Sequence, residues 1–440
     1  MTFLPVRETF TSLLIACFIV ILTISCTSRG PVNPGPEDIR VWKKETNQGL
    51  PMIRVLLNKP TGKKRVELTS NGRMRLQHLD RPDVTRTVRA GKTVTFVRRG
   101  DQLVVDGRSF SQPGGFQIRT GDSGILKTEN RSYRGRFRIY LNDRSPEGAD
   151  EGGLLVVNHV PINKYLWSVL GGELLPNWTG DHINRTQAVA ARTYTLYEMK
   201  KRAEERHERF DVYDSQRSQV YAGIQRERPA TKEGVEDTIG ELMIYGQDQL
   251  VPTYFSSTCG GHTSPPRPNF SWYDGPPVPA PLKGVSCPWD DVSKHHRWEA
   301  QVSGSALKQA LFPGGGANSV YDMVVQERIS EGRAETIAFR LSSGSIKKMS
   351  GPAFRMAMAR YRSTLEGESQ KDRAWIRSTK FRVKKGQNGV FLFRGKGWGH
   401  GVGLCQYGAF GATQDGYGYR EILRHYYQSA SVEQHYPVQQ

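Results

Sequence analysis

The strongest constraint in the sequence is a change of hydrophobic period near residue 160. Between residues 52 and 160, apolar and polar residues alternate in short runs such as 137–141 and 93–97. Glycines, Gly91 and Gly100 among them, separate these runs. Alternation with a period of two predicts strands that bury one face, and the glycines predict turns between them. We therefore expect a β-rich platform without a long helix.

Beyond residue 160 the apolar residues recur at helical spacing. Tyr165, Val169 and Glu173 share one face of an expected helix, which Pro176 stops soon after. A second helix is expected over about residues 183–206. Further mixed helix and strand signals follow, so the sequence predicts an α+β fold. Its parts would be a β-rich N-terminal platform, a helical segment that carries the candidate catalytic group, and a further mixed α/β region.

The N-terminus has the features of an export signal. Arg7 precedes an unbroken apolar run over residues 13–22, which has signal-peptide length and is shorter than the roughly 20 residues of a membrane-spanning helix. Small residues and Cys26 follow, which is similar to a bacterial lipoprotein signal in which Cys26 is acylated. A plain cleaved secretory signal is the alternative. The Pro- and Gly-rich residues 26–49 are typical of a tether.

The charge of the chain indicates an anionic partner. The 62 Lys and Arg residues exceed the 43 Asp and Glu residues, which gives a net charge of +19. Nucleic acid, an anionic membrane surface and an anionic cell-wall polymer would all suit this charge. Export argues against nucleic acid and points to the cell envelope. A mean hydropathy of -0.56 excludes a polytopic membrane protein.

Two charged residues in the expected helices are candidates for chemistry. Glu173 lies among Leu170, Leu174 and other apolar residues, where lost hydration would raise its pKa toward the range that suits a general acid near neutral pH. A helix-end glutamate that turns to water is the alternative. Arg192 lies in a small, apolar part of the second helix and needs a partner if it is buried. It could orient Glu173, bind an anionic substrate group or form a structural ion pair.

The cysteines beyond the signal allow two interpretations. Cys259 and His262 enclose two glycines and could hold zinc, with Cys287, Cys405 or a water completing the shell. One disulfide among the three cysteines, with a thiol left over, is the alternative in an exported protein. His400 lies in the glycine-rich residues 397–409 and could bind substrate, ligate a metal or cap a turn.

Four motifs in order resemble the stage II sporulation protein D/amidase-enhancer family. The resemblance covers about residues 50–430. The motifs are Gln187–Tyr194, Asp211–Gly223, Tyr254–Thr263 and Gly397–Ala409, the last followed by Gly416, Tyr419, Ile422, Leu423, Tyr426 and Tyr427. The expected organisation is a lipoprotein-type signal peptide (1–25), a tether (26–49), a β-rich part (50–160), the catalytic core helices and strands (161–262), a loop and mixed αβ lateral region (263–390) and a Gly-rich segment that closes the core (391–435).

The resemblance implies a peptidoglycan lytic transglycosylase that acts on glycan strands stripped of stem peptides by an amidase. The catalytic glutamate of the family, which precedes the Gln-Ala-Val-Ala-Ala-Arg-Thr-Tyr helix, corresponds to Glu173. The resemblance also implies a structural zinc ion held by Cys259 and His262. The residues expected to line the glycan cleft are Arg192, Tyr194, Gln219, His400 and Gln406.

A single carboxylate would suffice for this chemistry. Hydrolytic glycosidases use two, and no second acid in the sequence is convincingly placed beside Glu173. Asp211 and Asp214 are the candidates, and both can be turn residues. In lytic transglycosylation the C6 hydroxyl of the muramyl sugar attacks its own anomeric carbon. The alternatives are a non-enzymatic amidase enhancer that activates a partner hydrolase, and a metal hydrolase centred on Cys259 and His262. If Cys26 is acylated, the protein is expected on the outer membrane, facing the periplasm, in a Gram-negative host.

Overall fold

The structure, a computed structural model, describes residues 50–110, 114–121, 123–142, 152–204, 209–267, 278–314 and 316–436. The expected signal peptide, Cys26 and the tether lie outside these residues. Within the described part, no helix combines the length and the apolar character needed to cross a membrane.

The N-terminal part consists of strands, as the period-two pattern predicts. Apolar residues of each strand point into one core, and the alternate positions face outward, as in β2, whose residues alternate between exposed and buried. The strands are β1 (Met52–Leu56), β2 (Arg65–Ser70), β3 (Met74–His78), β4 (Thr85–Val88), β5 (Val94–Arg99), β6 (Gln102–Val105), β7 (Arg108–Phe110), β8 (Phe116–Arg119), β9 (Leu126–Thr128), β10 (Arg131–Tyr133), β11 (Arg136–Leu141) and β12 (Leu154–Pro161).

These strands form two sheets that share one hydrophobic core. The first sheet has the order β13-β1-β12-β11-β8-β3-β4, where β13 is Val212–Tyr213. The second has the order β10-β9-β2-β5-β6-β7. β13 pairs with β1 in parallel, which returns the chain after the helices to the platform.

The helices begin directly after β12. α1 (Ile162–Glu173) and α2 (Asp181–Glu204) confirm the two helices expected from the sequence. α3 (Pro229–Glu236) packs against both of them, and α7 (Gln406–Gln414) and α8 (Tyr419–Tyr426) pack against α2 from the C-terminal end of the chain. Between and beyond these helices lie the short strands β14 (Glu241–Tyr245), β15 (Gln249–Leu250), β16 (Phe255–Ser256), β23 (Leu404–Cys405) and β24 (Ala430–Gln434).

The lateral region has a separate hydrophobic core. Two three-stranded sheets, β17-β22-β21 and β18-β19-β20, enclose it with α4 and α5. The mixed strands and helices confirm the α+β fold. The elements are β17 (Arg297–Ser303), α4 (Gly304–Leu311), β18 (Val320–Arg328), β19 (Ala334–Leu341), β20 (Ile346–Ser350), α5 (Gly351–Thr364), α6 (Glu368–Arg373), β21 (Phe381–Lys385) and β22 (Val390–Lys396).

Arg192 connects α2 to two neighbouring elements through buried hydrogen bonds. Its side chain is fully buried, with Nη2 donating to the carbonyl of Val235 at 2.9 Å and Nη1 to that of Glu241 at 3.3 Å. A buried guanidinium needs such partners. The structure therefore gives Arg192 a structural role, joining α2 to α3 and β14, instead of the expected contact with substrate.

An ion pair between Arg54 and Asp211 joins the platform to the segment that follows the helices. Asp211 has no exposed surface and accepts from the Arg54 backbone N–H at 2.8 Å and from its Nε at 3.0 Å. Removal of Asp211 leaves the charge of Arg54, whose side chain is 22% exposed, so the cost is lower than for a fully buried pair and is about 2 kcal/mol. We expect Asp211→Ala to lower the free energy of unfolding by about this amount in urea denaturation.

The matched control is Glu67→Ala, which removes the exposed partner of Arg65. Exposed ion pairs contribute about 0–1 kcal/mol. Equal losses in the two variants would mean that the Arg54–Asp211 pair contributes no more than an exposed one.

Candidate functional site

Glu173 is the last residue of α1, and the sequence around it dictates where its carboxylate lies. Val169 and Leu170 in the preceding turn are fully buried, so the helix axis is fixed against the core. A Cβ atom on Gly171 would lie 1.7 Å from the carbonyl oxygen of Arg226. Glycine there allows the segment after Gln219 to approach the end of α1 closely. A Cβ atom on Gly172 would likewise lie 2.6 Å from the carbonyl oxygen of Val220, the residue that this approach brings to Glu173.

The Glu173 carboxylate is partly buried and hydrogen-bonded. The backbone N–H of Val220 donates to Oε1 at 2.7 Å, and the side chain of Gln406 forms a second hydrogen bond. Burial raises the pKa of Glu173 above its ordinary value, although both hydrogen bonds act in the opposite direction. The site thus favours a carboxyl group that can carry a proton at a higher pH than an exposed glutamate.

Gln406 and Gln187 form a short amide chain behind this carboxylate. Gln406 is the first residue of α7 and is nearly buried. Its Nε2 donates to Oε1 of Gln187 on α2 at 3.4 Å. The sequence indicated Gln406 but not Gln187. The one feature of the sequence that could have indicated Gln187 is that it is an amide among the small, apolar residues in the first half of α2.

Two of the other predicted cleft residues lie in the interior. Gln219 is fully buried and donates from Nε2 to the carbonyl oxygen of Ala191 at 3.1 Å, and its Oε1 accepts from the Tyr165 hydroxyl at 3.2 Å. Tyr194 is largely buried, and its ring packs edge-on against that of Tyr254 with 5.9 Å between centroids. Both side chains support the loop that carries Val220 and the core beside it, so the structure does not place them in an open cleft.

His400 connects the glycine-rich residues 397–409 to Phe255 by hydrogen bonds. Its Nε2 lies 2.9 Å from the carbonyl oxygen of Phe255, and its Nδ1 accepts from the N–H of Val402 at 3.0 Å. This pattern fits a neutral ring, and burial lowers the pKa of His400 to about 3. Of the three roles the sequence left open, the contacts match the turn cap.

The three cysteines and one aspartate form a buried cluster. Ligand atoms of Cys259, Cys287, Asp290 and Cys405 all lie within 4.8 Å of one another, and the three thiols are free. The predicted ligand His262 is not among them, and its Nδ1 lies 2.6 Å from the carbonyl oxygen of Thr263. The aspartate was missed because a carboxylate in Trp-Asp-Asp has no distinctive spacing.

Hydrogen bonds from neighbouring groups orient the possible ligand atoms of this cluster. Oδ2 of Asp290 accepts from the N–H of Gly260 at 2.6 Å, and Oδ1 lies 2.8 Å from Nδ1 of His296. The sulfur of Cys405 accepts from the N–H groups of Cys259 at 3.2 Å and of Gly408 at 3.4 Å. Bonds of this kind orient metal ligands from the second shell. The four residues together could hold a tetrahedral metal ion.

A fully buried arginine beside the cluster supports an anionic, metal-loaded state. Arg333 donates from Nη2 to the carbonyl of Cys259 at 2.9 Å and from Nε to Ser264 at 3.0 Å. No carboxylate of the described residues forms an ion pair with it, and its Nη1 has no hydrogen-bond partner there. Three thiolates and one carboxylate around a divalent ion would carry a net negative charge. Such a cluster would supply the counter-charge that a buried guanidinium requires.

The glycines of the closing segment permit this arrangement. Gly401 has a φ of 75°, and a Cβ there would lie 1.9 Å from Nη2 of Arg333. Glycine is suited to this position, because it combines a positive φ with a close approach to another side chain.

Comparisons with known proteins agree with this architecture. Residues 150–245 match the family described as stage II sporulation protein. An uncharacterized protein of Brachyspira hyodysenteriae (strain ATCC 49526 / WA1) is 32% identical over 279 residues, 63% of this chain and 68% of that protein. Stage II sporulation protein D of Bacillus subtilis (strain 168) is 24% identical over 290 residues, 63% of this chain and 76% of that protein. The amidase enhancer of the same organism is 25% identical over 299 residues, 61% of this chain and 40% of that protein.

The family match covers α1, all of α2 and the loop of Val220, which form much of the surroundings of Glu173. The chain belongs to the stage II sporulation protein D/amidase-enhancer family.

Proposed function

We propose that the protein acts on the bacterial cell wall and cleaves peptidoglycan glycan strands by lytic transglycosylation, with Glu173 as the single general acid and base. The observation that carries this proposal is the environment of Glu173. Its carboxylate is partly buried, has a raised pKa, and is oriented by Val220 and Gln406. A general acid needs these properties.

In the proposed reaction, protonated Glu173 gives its proton to the glycosidic oxygen as the bond to the anomeric carbon breaks. The resulting carboxylate then takes the proton of the muramyl C6 hydroxyl while that oxygen bonds to the anomeric carbon. The products are an anhydro-muramyl end and a free hydroxyl on the departing sugar. The Val220 N–H stabilises the carboxylate between the two steps, and apolar surroundings favour its reprotonation.

The two nearest acidic candidates from the sequence support a mechanism with one carboxylate. Asp211 forms an ion pair with Arg54. Asp214 accepts from the N–H of Asn58 at 3.2 Å and lies 3.6 Å from Arg131, which ties it to the platform. Burial raises the pKa of Asp214 to about 6. Neither group contacts Glu173 in the described contacts, so we propose that the sugar hydroxyl, and not an activated water, is the nucleophile.

The expected setting is the cell envelope. The signal-like N-terminus and Cys26 would anchor the protein through lipid, and the substrate would be glycan strands already stripped of peptides by an amidase. A relative named amidase enhancer supports a link to such a partner.

We expect Glu173→Gln to reduce the release of anhydro-muramyl products by about 10²–10⁴-fold, the range typical of a lost general acid. Glutamine keeps the size of the side chain and an acceptor for the Val220 N–H, so binding of the glycan should persist. The measurement is mass analysis of products from denuded glycan strands, with purified protein and no amidase present.

The matched control is Glu233→Gln on α3, an exposed glutamate whose change should leave the product yield intact. If Glu173→Gln releases anhydro ends at the wild-type rate, Glu173 is not the acid. If the wild-type protein releases none alone but accelerates a purified amidase, the protein is an amidase enhancer.

The raised pKa of Glu173 predicts two effects of pH. Cleavage requires the protonated acid, so its rate should fall as pH rises through the raised pKa. The ionised form is also disfavoured in the fold, so the wild type should lose stability as pH rises above the ordinary value of 4.5. Glu173→Gln cannot ionise. Its free energy of unfolding relative to the wild type should therefore increase between pH 4 and pH 7, and a constant difference in urea denaturation would contradict the assignment.

We further propose that the cluster of Cys259, Cys287, Asp290 and Cys405 holds one structural zinc ion. Four protein ligands leave no open position, which is typical of structural and not catalytic zinc.

Elemental analysis should find about one zinc per chain. Cys287→Ser should lower both the zinc content and the melting temperature, whereas His262→Ala should leave the zinc content unchanged. Zinc loss from His262→Ala and not from Cys287→Ser would support the Cys259–His262 site instead.

A further inference from the structure

The positive charge of the chain is concentrated in the N-terminal platform. Residues 50–142 contain 20 Lys and Arg against seven Asp and Glu, a net +13 of the chain's +19. This region lies before α1 in the chain and contributes no residue to the Glu173 contacts described above. Its charge therefore needs an explanation apart from catalysis.

Part of this charge lines one surface cleft. The cleft has a volume of about 380 Å³ and lies at the end of the first sheet, where β8, β3 and β4 are neighbours. Its lining is strongly basic and polar: Arg73, Arg75, Thr87, Arg119, Thr120 and Gly121.

The arginines of the cleft lie directly opposite one another on paired strands. Arg75 on β3 pairs in register with Arg119 on β8 and with Thr87 on β4. Their neighbours Leu76 and Ile118 are fully buried, so the arginines face solvent on the other side of the sheet. Like charges directly opposite on adjacent strands are destabilising. The platform therefore contains an unfavourable contact between the charges of Arg75 and Arg119 at the cleft.

Some arginines of the platform outside the cleft form ion pairs with carboxylates. Arg86 pairs with Asp106 and Arg65 with Glu67, both at 2.7 Å. Among the described residues, no carboxylate forms such a pair with Arg73, Arg75 or Arg119. These guanidinium groups thus keep their donors available for an external anion.

We propose that this cleft binds a linear polymer that carries phosphodiester groups. A phosphodiester is tetrahedral, and its two non-bridging oxygens share one negative charge and accept from donors that approach from different directions, whereas the acceptor sites of a carboxylate lie in one plane. Three arginines and two threonines line this one cleft and offer donors to such a group from more than one strand. Binding here would hold the protein on phosphate-bearing envelope polymer, whether or not Glu173 is catalytic.

The surroundings of the cleft favour a polymer over a bilayer. Surfaces that bind membranes usually combine basic residues with apolar side chains that enter the lipid. Within residues 50–142, no large hydrophobic side chain of the described part is prominently exposed. A chain of phosphates lying in the cleft and along the basic platform needs no such contact.

The test measures binding of the full-length purified protein to poly(glycerol phosphate) at two salt concentrations. The double variant Arg75→Gln/Arg119→Gln should bind at least tenfold more weakly and should depend less on salt. The matched control, Arg99→Gln/Arg108→Gln, removes the same charge from exposed positions of the second sheet and should change binding no more than about twofold. Glu173→Gln should bind like the wild type.

Stability separates a binding role from a structural one. Because the cleft variant removes a like-charge pair, it should be at least as stable as the wild type in urea. If it fails to fold, Arg73→Gln, in the turn before β3, provides the test and should weaken binding several-fold.

Three results would overturn the proposal. The first is an equal loss of binding in the cleft and control variants, which would mean diffuse attraction only. The second is binding of poly-L-glutamate as tight as that of poly(glycerol phosphate). The third is tight binding to phosphatidylglycerol vesicles with no binding to the polymer, which would assign the surface to a membrane.

Discussion

The hydrogen bond from the Val220 N–H to the Glu173 carboxylate is the contact on which the candidate site depends. It joins the end of α1 to a loop 47 residues later in the chain, and glycine at position 172 permits this approach, because a Cβ atom there would lie 2.6 Å from the Val220 carbonyl oxygen. Interior bonds of Gln219 hold that loop against α2. The residues around the carboxylate are therefore mostly buried supports, and their effect on chemistry would be exerted through the position of one acid.

The cysteine cluster is connected to this acid by sequence adjacency. Cys405 caps the N-terminus of α7, and Gln406, the next residue, reaches Glu173. A metal ion at Cys405 would fix the start of α7 and with it the amide that orients the carboxylate. In this arrangement a metal bound in a closed shell would affect the reaction through position alone, which distinguishes it from a metal hydrolase centre.

The sequence could predict the fold class, both long helices and the apolar setting of Glu173, because these follow from local period and from neighbours along one helix. It could not predict which polar residues meet across the chain. Arg192 and Gln219 are motif residues whose partners are backbone groups tens of residues away, so the sequence suggested substrate contact where the structure shows internal support. In the same way, His262 lies close to Cys259 in sequence, but Asp290 is the residue that folding brings to the thiols.

The basic residues and the motif residues are concentrated in different parts of the fold. Motif residues converge on the helical core, where a low dielectric makes each charge costly unless it is paired. The platform instead carries its arginines on a solvent-facing sheet surface, where water reduces their repulsion. Under the two proposals above, a protein that stays on a polyanion while it cleaves an uncharged glycosidic bond would benefit from this separation. Adhesive charge near Glu173 would stabilise the ionised carboxylate and lower the pKa that burial raises.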